Sequence, residues 1–87
     1  MNEKRDKLRL TELGKAIREN NILTIFGQNI LKARTARKLS QRAFSELCGI
    51  SNGDISQIEN GKVNITLNTV AQLANALEVP YHTLLKP

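Results

Sequence analysis

Apolar residues recur along this chain at three- and four-residue spacing, and no stretch alternates with period two for long enough to make a strand. From about residue 24 onward the spacing predicts five helices. The first is capped by Thr24 and runs to about Lys38, with Phe26, Ile30, Ala33 and Arg34 facing inward and Leu39 plugging the turn that follows. Ser40 is a good N-cap, because its hydroxyl can accept from the free N–H groups of the next turn. The second helix, Gln41 to about Cys48, turns Phe44, Leu47 and Cys48 inward and ends at Gly49, the residue suited to a left-handed terminus; Ile50 is buried in the turn. Ser51 caps a third helix from Asn52 to about Asn60, with Ile55 and Ile58 in the core and Asn60-Gly61 as the stop. After a loop over 62–65, Thr66 caps a fourth helix with the stripe Leu67, Val70, Ala71, Ala74 and Leu77. Pro80 suits the first turn of a short fifth helix, whose Tyr81, Leu84 and Leu85 fold back on the first and fourth.

The N-terminal segment reads differently. Residues 1–21 carry charge runs such as Glu3-Lys4-Arg5-Asp6-Lys7, with only Leu10, Leu13 and Ile17 at helical spacing. Such a stripe makes no core by itself and must dock on the body or on a second copy; a solvated, frayed arm is the alternative. The organisation expected is a charged arm or helix over 1–21 and a domain over 22–87.

Composition narrows the function. Eighty-seven residues support one modest core and leave little room for an enclosed active site. One cysteine, Cys48, excludes an internal disulfide, and one histidine, His82, excludes a multi-histidine metal site. Cys48 reads as a small buried hydrophobe, since nothing near it would activate the thiol. No cofactor or metal is expected. No nucleophile–base arrangement or phosphate-binding glycine loop is present, so the chain does not read as an enzyme. No apolar run is long enough for a membrane span, and the charged N-terminus argues against a secretory signal, so a cytoplasmic protein is expected. The net charge is +5. Residues 21–62 hold six basic and three acidic side chains, whereas 63–87 hold only Lys86 and Glu78. The middle is the better surface for a polyanion, and the C-terminal third reads as packing.

Residues 41–60 have the layout of a helix-turn-helix: two short helices, a tight turn at Gly49, and apolar positions 44, 47, 48, 50, 55 and 58 holding them at a steep angle. The second helix then protrudes and presents Asn52, Gly53, Ser56 and Gln57, short uncharged groups, to a major groove wide enough to admit it. Two positions are odd. Glycine at 53 costs up to ~1 kcal/mol relative to alanine; it either lets the helix sit closer to the bases or tolerates unusual dihedrals. Asp54 would repel phosphate, and at the third helical position it favours the macrodipole, a structural role.

Leu39-Ser40-Gln41 through Ile55-Ser56-Gln57-Ile58-Glu59-Asn60-Gly61-Lys62, with Thr66-Leu67 and Leu73-Ala74-Asn75-Ala76-Leu77, resembles the lambda-repressor-like, or XRE-type, DNA-binding domain. The resemblance covers about residues 24–87. It implies an all-α, five-helix domain, here with an N-terminal charged extension, of bacterial or phage origin, binding operator DNA as a dimer. By position it implies base reading by Asn52, Gly53, Ser56 and Gln57, with Gln57 suited to adenine N6 and N7. It implies a phosphate contact at Gln41, where a helix N-terminus offers free N–H groups. Further phosphate contacts fall to Ser51, which also caps, and to Asn60, Gly61 and Lys62, where the family uses backbone N–H groups and a basic side chain as a clamp. Asn64 and Thr66 add to that clamp, and Arg37, Lys38 and Arg42 are either long-range phosphate contacts or solvated charge. The resemblance also implies a partly buried Arg34–Glu59 pair between the first and third helices; a phosphate contact is the alternative for Arg34. Two departures stand out. Val63-Asn64-Ile65 replaces a proline the family often has near residue 65. Ser45 replaces its usual alanine, so the hydroxyl must bond back to a helix carbonyl.

The partner expected is therefore double-stranded DNA, read by a homodimer on a near-palindromic operator, with no membrane. Val63, Ile65, Val79 and Tyr81 are the dimer-interface candidates, or else they finish the core. The competing reading is an antitoxin-type or adaptor protein that masks a protein partner through residues 1–20.

Overall fold

A computed structural model describes residues 22–87 as four α-helices and a closing 3-10 helix: α1 Ile22–Ala36, α2 Gln41–Cys48, α3 Asn52–Glu59, α4 Leu67–Leu77 and the 3-10 helix Tyr81–Leu85. The described residues contain no strand. The expectations for residues 1–21, including the Leu10, Leu13 and Ile17 stripe and a protein partner there, lie outside the described residues. No described helix is long and apolar enough to cross a membrane.

The core is one cluster in which every element takes part: Phe26 and Ile30 from α1, Phe44 and Cys48 from α2, Ile55 and Ile58 from α3, Val70, Leu73, Ala74 and Leu77 from α4, and Leu84 from the 3-10 helix. α1 packs on α3 and on the 3-10 helix, while α2 packs on α3 and α4. Leu47, expected inward, is 60% exposed, and Leu67, expected in the α4 stripe, is 81% exposed. In α4 the buried face is centred on Val70, Leu73, Ala74 and Leu77, so Leu73, which the expected stripe omits, is fully buried. Both stripes have helical spacing, and the position of the neighbouring helices selects between them.

Helix ends explain the other differences. α1 already includes Thr24, which therefore caps nothing, and it stops at Ala36 instead of Lys38. Lys38 takes a left-handed conformation (φ 59°), the Lys38 N–H donates to Thr35 O (2.9 Å), and the Leu39 N–H donates to Arg34 O (3.1 Å). This is the paired reverse bonding of a Schellman terminus. α3 ends the same way at Gly61 (φ 68°), and α4 at Glu78 (φ 58°). The fifth helix is 3-10, and Pro80 precedes it in an extended conformation (φ −64°, ψ 134°) instead of occupying its first turn. Asn29 fixes this segment to α1 by donating to the carbonyls of Leu84 (2.8 Å) and Lys86 (2.7 Å).

The crossing of α1 over the C-terminal end of α3 is very close at Gly27. A Cβ there would lie 2.7 Å from the Glu59 carbonyl oxygen, with the Ile58 carbonyl nearer still. Gly27→Ala is therefore expected to lower stability by about 1–3 kcal/mol or more, since backbone must move to admit the methyl. Urea denaturation measures this, and an unchanged midpoint would contradict the close crossing.

Candidate nucleic-acid interface

α2, the turn 49–51 and α3 form a helix-turn-helix with every turn residue fixed. Ser40 Oγ accepts from the Ala43 N–H (3.0 Å) and Ser51 Oγ from the Asp54 N–H (3.1 Å), the two expected caps. Gly49 is left-handed (φ 77°), and its N–H donates to Ser45 O (2.9 Å). Ser45 departs from expectation: its hydroxyl donates to Ile50 O, beyond the helix. The Ile50 carbonyl, left without a helical partner by the turn, is the better acceptor, since the helix carbonyls nearby already serve the backbone. Gln72 of α4 donates to Cys48 O, tying the end of α2 to the fourth helix. Nothing in the sequence pattern announces that bond.

The pairing of Arg34 with Glu59 is present as expected. Arg34 Nε lies 2.5 Å from Glu59 Oε2, Nη2 donates to Oε1 (3.0 Å), and both residues are 9% exposed. The third arm, Nη1, donates to Leu39 O (2.7 Å), so one guanidinium joins α1, the turn before α2 and the end of α3. Among the described residues no buried side-chain nitrogen or oxygen lacks a partner. These bonds and the burial of the side chain favour the ion pair over the alternative phosphate contact for Arg34. Gln41 joins the same group, donating from Nε2 to Glu59 Oε1 (2.9 Å). That is the one hydrogen bond of its amide among the described residues, so a second N–H remains for another acceptor.

The outer face of α3 carries the expected reading residues. Asn52, Gly53 and Gln57 are exposed, and Ser56 is half-buried. Ile55, Ile58 and Glu59 hold the opposite face in the core. Gly53 has no positive φ, unlike Gly49 and Gly61, which removes unusual dihedrals as the reason for glycine there. A Cβ on Gly53 would meet no described residue outside its own helix within 4 Å.

The remaining phosphate candidates divide by what already holds them. Arg42, Lys38, Lys62 and Asn64 are exposed, with side chains that bond to no described residue. Arg37 is engaged: Nη1 donates to Leu77 O and Nη2 to Glu78 Oε2, both at 3.1 Å, which ties α1 to the end of α4. Asn60 folds back, Nδ2 donating to Ser56 O (2.8 Å). The backbone clamp expected at 60–62 is overturned. The Asn60, Gly61 and Lys62 N–H groups donate to Ser56, Ile58 and Gln57 carbonyls, closing the Schellman terminus. Ser51 and Thr66 serve as caps, Thr66 Oγ1 accepting from the Thr69 N–H (3.1 Å). Each cap satisfies the third N–H of its helix and leaves the first two open, so at α2 the Gln41 and Arg42 N–H groups lack a described backbone partner.

The interface candidates also divide. Ile65 and Val79 pack against the core, whereas Val63 and Tyr81 are exposed. Tyr81 (63% exposed), Leu67 and Leu85 border a depression of about 350 Å³ also lined by Val70 and Ala71, so Tyr81 and Leu85, expected to fold back on the first and fourth helices, instead form an exposed apolar face.

Comparison with known proteins agrees with this geometry. A family model described as HTH_3, helix-turn-helix, matches residues 30–84. The chain is 43% identical over 61 residues to RghRB, an uncharacterized HTH-type transcriptional regulator of Bacillus subtilis (strain 168), covering 69% of this chain and 44% of that protein. The chain thus spans less than half the length of that relative. It is 33% identical to the control protein C.BamHI of Bacillus amyloliquefaciens, over 76% of this chain and 83% of that one. Among solved structures, the restriction-modification controller protein C.AhdI from Aeromonas hydrophila superposes with a TM-score of 0.69 at 34% identity, covering 71% of this chain and 94% of its own.

Proposed function

The chain belongs to the HTH_3 helix-turn-helix family, and from that premise we propose that it is a sequence-specific double-stranded DNA-binding transcriptional regulator that places α3 in the major groove. One observation carries this reading: α3 turns Ile55, Ile58 and Glu59 inward and offers the uncharged polar groups of Asn52, Ser56 and Gln57 outward. Hydrogen-bonding amides read base edges, whereas a lysine-rich face would grip any phosphate. Phosphate contacts come from Gln41, Arg42, Lys38, Lys62 and Asn64, which carry no internal duty that excludes them.

The regulator acts as a homodimer on a near-palindromic operator, with half-sites about one helical turn apart. The apolar face of Leu67, Tyr81 and Leu85 supports this state. A two-fold interface buries the same patch on both copies, and the region 63–87 that supplies this face holds only Lys86 and Glu78, so few charges would be desolvated there.

Selection of binding sites from random duplex DNA tests the proposal. It is expected to recover a motif with two symmetric halves; recovery of no motif would reject sequence-specific reading. Salt titration then separates the contacts. Lys62→Ala is expected to weaken all sequences alike and to reduce the salt slope by about 1 per lost contact, because each lysine releases counterions from a phosphate. Gln41→Ala is expected to weaken binding with the slope unchanged, since a neutral amide releases none. A reduced slope for Gln41→Ala, or an altered preferred site for Lys62→Ala, would contradict these assignments.

A further inference from the structure

We propose that Gly53 is a specificity-determining residue whose missing side chain is the clearance for the base-pair edge facing the first turn of α3. This role rests on α3 being the DNA-facing helix. The described residues include four glycines, and three have a reason within the fold. Gly27 sits where a Cβ would collide with the carbonyls of α3, and Gly49 and Gly61 have the positive φ of helix ends. Gly53 has neither reason: its backbone has no positive φ, and among the described residues nothing outside its own helix lies beside it.

Glycine is a poor helical residue, so the fold alone favours alanine at this position. The object that needs the space therefore lies outside the described domain, and with α3 facing DNA it is the base-pair edge. Its direction follows from helical spacing. Ser56 and Gln57 stand three and four residues after Gly53, on the same face, one turn further along. A surface that meets Gln57 at hydrogen-bonding distance meets the bare backbone of Gly53 next. A Cβ there either holds the helix out of the groove or excludes the base pair that bears the most protruding group on its edge. Selection at this position is thus steric, where that of Gln57 is by hydrogen bonding.

Gly53→Ala in the full chain tests this with two measurements expected to move in opposite directions. The thermal midpoint rises, by up to about 4–8 °C for a domain of this size. Affinity for the duplex preferred by the unsubstituted protein falls about 5- to 150-fold, the loss being confined to one base pair per half-site, where a different base becomes preferred. Unchanged affinity and preference would overturn the proposal. So would an equal loss on every duplex, which would place a phosphate at Gly53, or a fall in the midpoint, which would show that the fold itself requires glycine. Gln57→Ala, measured beside it, separates the two levels. Lost preference with Gln57→Ala but none with Gly53→Ala leaves α3 as the reading helix and removes only the clearance. No sequence preference in the unsubstituted protein removes both.

Discussion

Arg34→Ala is expected to destabilise the domain by about 3–5 kcal/mol, because it leaves the Glu59 carboxylate buried with only Gln41 as a partner. Glu59→Ala does the converse, stranding a guanidinium whose remaining bond is to Leu39 O. Domains of this size have total stabilities near the low end of about 5–15 kcal/mol, so either single substitution removes a large share. Urea and thermal denaturation measure the loss. The paired change Arg34→Met with Glu59→Leu is expected to lose less than either single substitution, since no charge is then left unpaired. If the pair of changes proves worse than both singles, the two side chains are not held as a desolvated pair. The effect extends to DNA, because this contact and the close approach at Gly27 are what set α3 against α1. A surviving fraction of folded Arg34→Ala protein is expected to bind its operator more weakly, with no single base pair singled out.

Gln57→Ala is expected to behave in the opposite way. Gln57 is exposed and its side chain bonds to no described residue, so stability changes by no more than about 0.5 kcal/mol. Affinity for the preferred duplex falls by about 1–3 kcal/mol, and discrimination relaxes at one base pair per half-site. The physical reason is that a carboxamide donates and accepts at once and so matches adenine N6 and N7; a methyl group matches neither and leaves those atoms unpaired. Titration against duplexes altered one base pair at a time gives the result. Unchanged discrimination at every position would remove Gln57 from the reading set while leaving the fold untouched.

The amino-acid sequence alone determined the helix-turn-helix. Ser40, Ser51 and Thr66 cap as expected, Gly49 takes the left-handed conformation, and α2 and α3 start where their caps require. These features are local: a hydroxyl reaching an N–H three residues on, or a residue lacking Cβ, acts within one turn whatever surrounds it. The Arg34–Glu59 contact was legible through resemblance, on positions that match residue by residue.

Tertiary structure decided the rest, because periodicity says that a helix has an apolar face without saying which of two neighbouring stripes is buried. Leu73 entered the core and Leu67 left it, and Leu47 stayed out on an eight-residue helix. The non-glycine left-handed ends at Lys38 and Glu78 follow from where the chain must turn, not from the residue placed there. Arg37 reads as a phosphate contact or solvated charge until the end of α4 is brought beside it, and the need for glycine at 27 emerges only where α1 crosses α3. Gly53 is the reverse case. Its helical position was visible in the sequence, but only the fold shows that no described residue claims the space of its missing side chain.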